Sequence, residues 1–130
     1  MSGRAVKSEG TLPERRVRAA AIRLGLRYRC NARELPGSPD LVFDRERKVV
    51  MVHGCYWHLH VGCPKGMRIP RPKLAEKRIF WWEKLARNAL RDERVEAELT
   101  ALGWDVLTLW ECETEDFDAM KERLAKHVRG

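Results

Sequence analysis

A chain of 130 residues and 15.2 kDa can bury one modest core and is too short for two independent ones. Its 44% hydrophobic content with five tryptophans excludes wholesale disorder. Twenty-six Lys and Arg against 19 Asp and Glu give a formal charge of +7, a surplus that suits a polyanionic partner such as nucleic acid, although plain solubility is an alternative until position decides it. No apolar run approaches the roughly 20 residues of a membrane helix and the first thirty residues lack an apolar signal core, so a cytoplasmic protein without a membrane partner is expected. Cys30, Cys55, Cys63 and Cys112 would allow three disulfide pairings in an oxidising compartment. In a reducing cytosol, metal ligation or plain burial suits them better.

Residues 1–10 are polar and aperiodic and read as a flexible N-terminal arm, leaving 11–130 as a single domain. Thr11, Leu12, Pro13 and Glu14 have the form of a capping box. The helix it starts carries Val17, Ala20, Ala21 and Leu24 on one face, and Gly25 can stop it. A short strand is expected over Leu26 to Cys30. Asp40 to Asp44 and Lys48 to His53 are β-rich runs joined as a hairpin through Arg45, Glu46 and Arg47. Residues 54–72 form a long aperiodic loop, of the kind that is usually functional and here needs a staple of its own. From Lys73 to Leu102 the sequence is helical, as one helix or two with a bend, ending at Gly103; Trp104 to Trp110 then reads as a buried strand. Residues 115–128 form an amphipathic helix bearing Phe117, Met120, Leu124 and Val128. The order predicts an α/β mixed sheet flanked by helices.

Three constellations can carry chemistry. His53, Cys55, His58, His60 and Cys63 place two thiols and three imidazoles in one segment, which suits a tetrahedral zinc ion with sulfur and nitrogen donors. Cys55, His60 and Cys63 have short-site spacing, and Cys112 at a strand end could supply the fourth ligand. His53 and His58 are then left to act as acid, base or phosphate ligand. Buried thiols and ordinary loop histidines are the bland alternative, and for Cys30 that alternative is preferred. Asp40 opens a strand after the turn Leu35 to Pro39, where a carboxylate can bind Mg²⁺ through hard oxygen. On the long helix, Trp82, Leu85, Ala86 and Ala89 make a face expected to be buried. Trp81, Lys84, Asn88 and Arg91 make a second face, combining an aromatic wedge, an amide and two cations suited to DNA. Tyr56 and Trp57 could add a second wedge. An aromatic core flanked by solvated basic residues is the alternative.

Leu35 to Asp40, His53 to His58, Phe80 and Trp81 with Glu83, Lys84 and Asn88, and Gly103 and Trp104 leading to Trp110, Glu111 and Cys112 together resemble the very-short-patch repair (Vsr-type) DNA mismatch endonucleases over roughly residues 11–113. The resemblance implies a restriction-endonuclease-like fold with a structural zinc site and a catalytic Mg²⁺. It makes Asp40 and the Val52 backbone carbonyl the Mg²⁺ ligands, His53 and His58 the catalytic histidines, and Glu14 an acidic residue near the active site. Cys55, His60, Cys63 and Cys112 become the zinc set. Tyr56, Trp57 and Trp81 become wedging aromatics, with Lys84 and Asn88 reading the mismatched pair.

On this reading the chain is a monomeric, nucleoid-associated DNA repair enzyme that nicks double-stranded DNA 5′ of the thymine in T·G mismatches arising from 5-methylcytosine deamination. Other mismatch-repair proteins are candidate partners. A related nuclease with a different mismatch, lesion or sequence target is one alternative, and a non-catalytic zinc-stabilised DNA-binding module is another.

Overall fold

The computed structural model describes residues 10–55, 57–58, 60, 63 and 75–130. Tyr56, the arm over residues 1–9 and most of the loop expected over 54–72 lie outside the described residues, as do Lys73 and Leu74 of the expected helix start. Helix α1 spans Leu12–Arg23. Thr11 caps it, its Oγ1 accepting the Glu14 N–H at 3.4 Å. Glu14 reaches back one residue farther than a capping box requires and accepts the Gly10 N–H at 2.8 Å. Gly25 ends the helix at φ +71°, the left-handed conformation that glycine adopts without a Cβ clash.

The first strand, β1, is Arg29–Cys30 alone, shorter than expected. Leu26 is still committed to the helix terminus, its N–H bonded to the Ala21 carbonyl. Cys30 is exposed. Strands β2 (Leu41–Phe43) and β3 (Lys48–His53) form the expected hairpin, closed by the Arg47 N–H to Asp44 carbonyl bond. Strand β4 (Asp105–Trp110) lies parallel to β3, giving the sheet order β1-β2-β3-β4 with the other neighbours antiparallel. A parallel neighbour needs a crossover, and α2 (Ala75–Ala101) supplies it as one uninterrupted helix of 27 residues. A 3₁₀ turn over Glu111–Glu115 follows β4, and α3 (Phe117–Arg129) closes the chain.

The period-2 alternation of strands sorts the core onto two faces. Leu41, Phe43, Val50 and Leu109 meet Val17, Ala20 and Ala21 of α1 and Met120, Leu124 and Val128 of α3. Val42 and Val49 turn the other way, with Ala32, Leu99 and Trp104. That second layer explains two departures from expectation. Strand β4 is only partly buried: it ends the sheet order, Leu109 alone is fully enclosed, and Asp105 is exposed beside Lys48 at 2.8 Å. Trp104, just before the strand, is the buried residue, lying beneath the Arg47 guanidinium at 4.2 Å from its ring centroid. On α2 the face expected to be buried contributes only Leu85. Trp82 is 51% exposed and Ala86 is exposed, because the helix packs on this second layer through Val95 and Leu99, more than three turns beyond Trp82. No helix is long and apolar enough to cross a membrane among the described residues.

Candidate active site

Strand β3 ends at His53, and the chain then turns beneath the β4 terminus. Cys55 and Cys63 are buried there, with His60 and Cys112 beside them, and one ligand atom from each of the four residues lies within 4.8 Å of the others. Cys112 Sγ is 3.5 Å from His60 Nδ1, and the Cys112 N–H donates to Cys55 Sγ at 3.4 Å. The 3₁₀ turn after β4 is what delivers Cys112, while His60 is held flat on Trp110 at a centroid distance of 4.1 Å. Burial pushes the Cys55 thiol up to about 12, and the neighbouring thiols of Cys112 and Cys63 add to it. Thiols crowded this way resist ionisation until a cation compensates them. The four residues can hold a metal ion. Donors of one tetrahedral zinc–thiolate site sit roughly 3.8 Å apart, and this spacing is compatible with the cluster.

The second group faces a cavity of about 690 Å³ whose lining includes Glu14, Asp40, Val52, His53, Trp57, His58, Arg91 and Asp92. Asp40 enters it from the start of β2, its Oδ2 accepting the Val52 N–H at 2.6 Å across the hairpin. Burial raises the Asp40 carboxyl to about 7, with the Glu14 carboxylate opposing its ionisation and Arg18 partly offsetting that. Two carboxyls brought together out of water form a set that a hard cation would stabilise. His53 and His58 stack in parallel at 3.9 Å, and His58 Nδ1 lies 2.5 Å from Asp92 Oδ2 on α2. With that carboxylate accepting, Nδ1 carries the proton and Nε2 keeps its lone pair. Burial lowers His53 to about 4, the neighbouring His58 adding to the effect against the pull of Asp92.

Beside this cavity α2 carries Trp81, Lys84 and Asn88 toward Trp57. The two indoles are 6.2 Å apart, Lys84 Nζ lies 5.8 Å and 5.5 Å from the Trp57 and Trp81 rings, and Asn88 Nδ2 donates to the Trp57 carbonyl at 3.3 Å. Trp57 stays 47% exposed. Arg91 is exposed on the cavity rim. Of the residues expected from sequence, Asp40, Val52, Glu14, His53 and His58 therefore share one cavity. Trp57, Trp81, Lys84 and Asn88 share its border, and Cys55, His60, Cys63 and Cys112 form a separate cluster.

Sequence reading missed Asp92. A single aspartate on a charged helix face carries no signal of its own, and only its 34-residue separation from His58, closed by the crossover, gives it a partner. It also missed Glu111, whose Oε1 accepts the Cys55 N–H at 3.3 Å.

The chain is similar to known proteins along most of its length. The family model described as DNA mismatch endonuclease Vsr matches residues 1–64. The chain is 43% identical over 119 residues to the type II nicking enzyme V.XorIIP of Xanthomonas oryzae pv. oryzae, covering 92% of this chain and 83% of that protein. It is 39% identical over 124 residues to the type II nicking enzyme V.NmeAIP of Neisseria meningitidis serogroup A, covering 95% and 84%. Against the DNA mismatch endonuclease Vsr of Escherichia coli K12 the identity is 37% over 132 residues, covering 98% and 81%. With relatives this similar along most of both chains, the protein belongs to the Vsr family of DNA mismatch endonucleases.

Proposed function

We propose that this chain is a monomeric, Mg²⁺-dependent endonuclease that nicks one strand of duplex DNA 5′ of the thymine in a T·G mismatch, the product of 5-methylcytosine deamination. In this reading residues 11–130 form one restriction-endonuclease-like unit, with the arm before it and other mismatch-repair proteins as further contacts. The observation that carries it is the convergence of the Asp40 and Glu14 carboxyls with the His58–Asp92 pair on one cavity bordered by exposed Trp57 and the Lys84 ammonium. A pure binding module has no use for a raised carboxyl and an oriented imidazole side by side.

Asp40, with the Val52 carbonyl, would hold the catalytic cation, and Glu14 would reinforce the negative field there. When bound, Mg²⁺ supplies Lewis acidity and neutralises charge developing on phosphate oxygens. His58, fixed by Asp92 so that Nε2 is free, accepts a proton from the attacking water. His53 lies against His58 in a water-poor position and presents its imidazole to the developing phosphorane-like charge. The nick leaves a 5′ phosphate and a 3′ hydroxyl. Trp57 and Trp81, with Tyr56, serve as wedges between bases, and Lys84 and Asn88 read the mismatched pair while Arg91 contacts phosphate. Cys55, His60, Cys63 and Cys112 hold structural zinc, the ion that three sulfurs and one imidazole suit best.

The test is to incubate the purified protein and Mg²⁺ with duplexes carrying a single T·G, or a matched T·A or C·G, in randomised flanks, and to map nicks by strand. Nicks confined to the thymine strand of T·G duplexes are expected. Matched duplexes cut as readily would overturn mismatch specificity and favour a restriction-like nuclease.

A further inference from the structure

A second ligand set lies apart from the cysteines. His53, His58 and Asp92 each present one donor atom, and the three donors lie within 4.8 Å of one another. Asp92 Oδ2 is 2.5 Å from His58 Nδ1 and 3.9 Å from His53 Nδ1, and the two rings are parallel to within 7°. Their Nδ1 edges therefore point to the same carboxylate rather than to each other. The group is also reachable from two sides, because it lines both the 690 Å³ cavity and a second cavity of about 520 Å³ lined by Met51, Ala89, Val106, Thr108 and Trp110. Two imidazoles and one carboxylate with open positions for water form a donor set for borderline first-row ions, which outrank Mg²⁺ wherever nitrogen replaces oxygen.

We propose that this triad is an inhibitory site for a borderline divalent ion such as Zn²⁺, distinct from both the cysteine cluster and the Asp40 carboxylate. The ion takes the place of the proton that His58 shares with Asp92. Neutral imidazole keeps one ring proton, so occupation of Nδ1 moves that proton to Nε2 and removes the lone pair facing the cavity. Bond lengths of about 2.0–2.2 Å to nitrogen and oxygen need the His58–Asp92 contact to widen by less than an ångström, within reach of side-chain rotation. The binding claim stands on geometry alone; the inhibition rests on the proposed role of His58.

The test uses the full chain with its cysteine cluster already loaded with one equivalent of zinc. Titration with Co²⁺, followed by visible d–d absorption and calorimetry, should show one further equivalent. Asp92→Asn and His58→Gln should weaken it at least ~10-fold, and Asp40→Asn should leave it in place. Histidine ¹⁵N spectra of the unaltered protein titrated with Zn²⁺ should show His58 passing from a protonated Nδ1 to a protonated Nε2, an outcome independent of whether any variant folds. Nicking should be lost in step with that second equivalent. Absence of the equivalent, its persistence in both triad variants, its loss in Asp40→Asn, or its displacement by excess Mg²⁺ would each overturn the site. None of the binding measurements involves DNA, so failure of the nuclease reading would show separately, as binding without nicking.

Discussion

One short segment, His53 to Cys63, feeds two polar clusters of opposite character. Cys55, His60 and Cys63 turn inward to Cys112 on the 3₁₀ turn, where three of the four donors are soft sulfur and Cys55 and Cys63 are buried. His53 and His58 turn to Asp92 on α2 and to the cavity that also holds Asp40, where the donors are mixed and open to solvent. A closed set can fix the chain and leaves a substrate no coordination position, whereas an open set can exchange protons and ligands. Adjacency in sequence does not assign function here. Which neighbouring element each side chain meets decides it.

The largest difference between the two clusters should come from Asp40→Asn. The amide oxygen can still accept the Val52 N–H that Asp40 Oδ2 takes at 2.6 Å, and neutralisation relieves the opposition between Asp40 and Glu14. Nicking should fall at least ~10³-fold, the scale of losing a charge-stabilising group, with thermal stability unchanged or raised. A stable variant that still nicks at the original rate would remove Asp40 from the chemistry. Metal removal should do the reverse. Stripping the cysteine cluster with a strong chelator leaves thiols whose ionisation burial already opposes, so Tm should drop by about 10 °C or more. Cys112→Ser should reproduce much of that loss by thermal denaturation. A Tm indifferent to both would make the cluster ordinary packing.

How far the sequence disclosed these regions follows from the same physics. Cys55, His60 and Cys63 announce themselves because their ligand types lie within nine residues of one another. The helix around Val17 and Ala20 and the hairpin from Leu41 to His53 were legible because their periodicities are strong and local. The His58–Asp92 contact was not, since it depends on where a 27-residue crossover lays its fourth and fifth turns. Trp82 departs from expectation for a related reason: its run with Leu85 and Ala89 has helical spacing, yet spacing cannot say along which turns the helix meets the second layer, which it does at Val95 and Leu99. The only partial burial of β4 follows from its place at the end of the sheet order, a property of topology rather than composition.

A smaller effect should separate the two clusters by strain. Gly37, at φ +73°, lies so close to α2 that a Cβ would collide with the Val95 side chain. Gly37→Ala therefore meets both a left-handed backbone penalty and a packing conflict, together roughly 2 kcal/mol. Val95 and Asp92 share the same inner face of α2, both lining the open cavity. Nicking should decline with stability while metal bound to the cysteine cluster, counted after gel filtration, stays at one equivalent. Release of that metal would show that the two regions are not mechanically separate.

The smallest expected effect sets the baseline on which pH responses of either cluster must be read. His127 on α3 belongs to neither; its Nε2–H donates to the Val49 carbonyl at 3.2 Å. Burial holds this imidazole below the ordinary histidine range, with Lys48 pushing the same way and the Val49 carbonyl and Asp105 pushing back. The unfolded chain then binds a proton at His127 sooner than the folded one as pH falls. Its neutral form contributes stability that is complete above the ordinary value of about 6.5 and lost as pH falls from there toward the lower folded value. His127→Gln keeps an amide donor for Val49 and cannot titrate. Its denaturant midpoint should thus fall less between pH 7 and pH 5 than that of the unaltered protein, at equal m-value. Equal slopes in the two proteins would assign the acid sensitivity to His53 instead, whose imidazole burial also holds low.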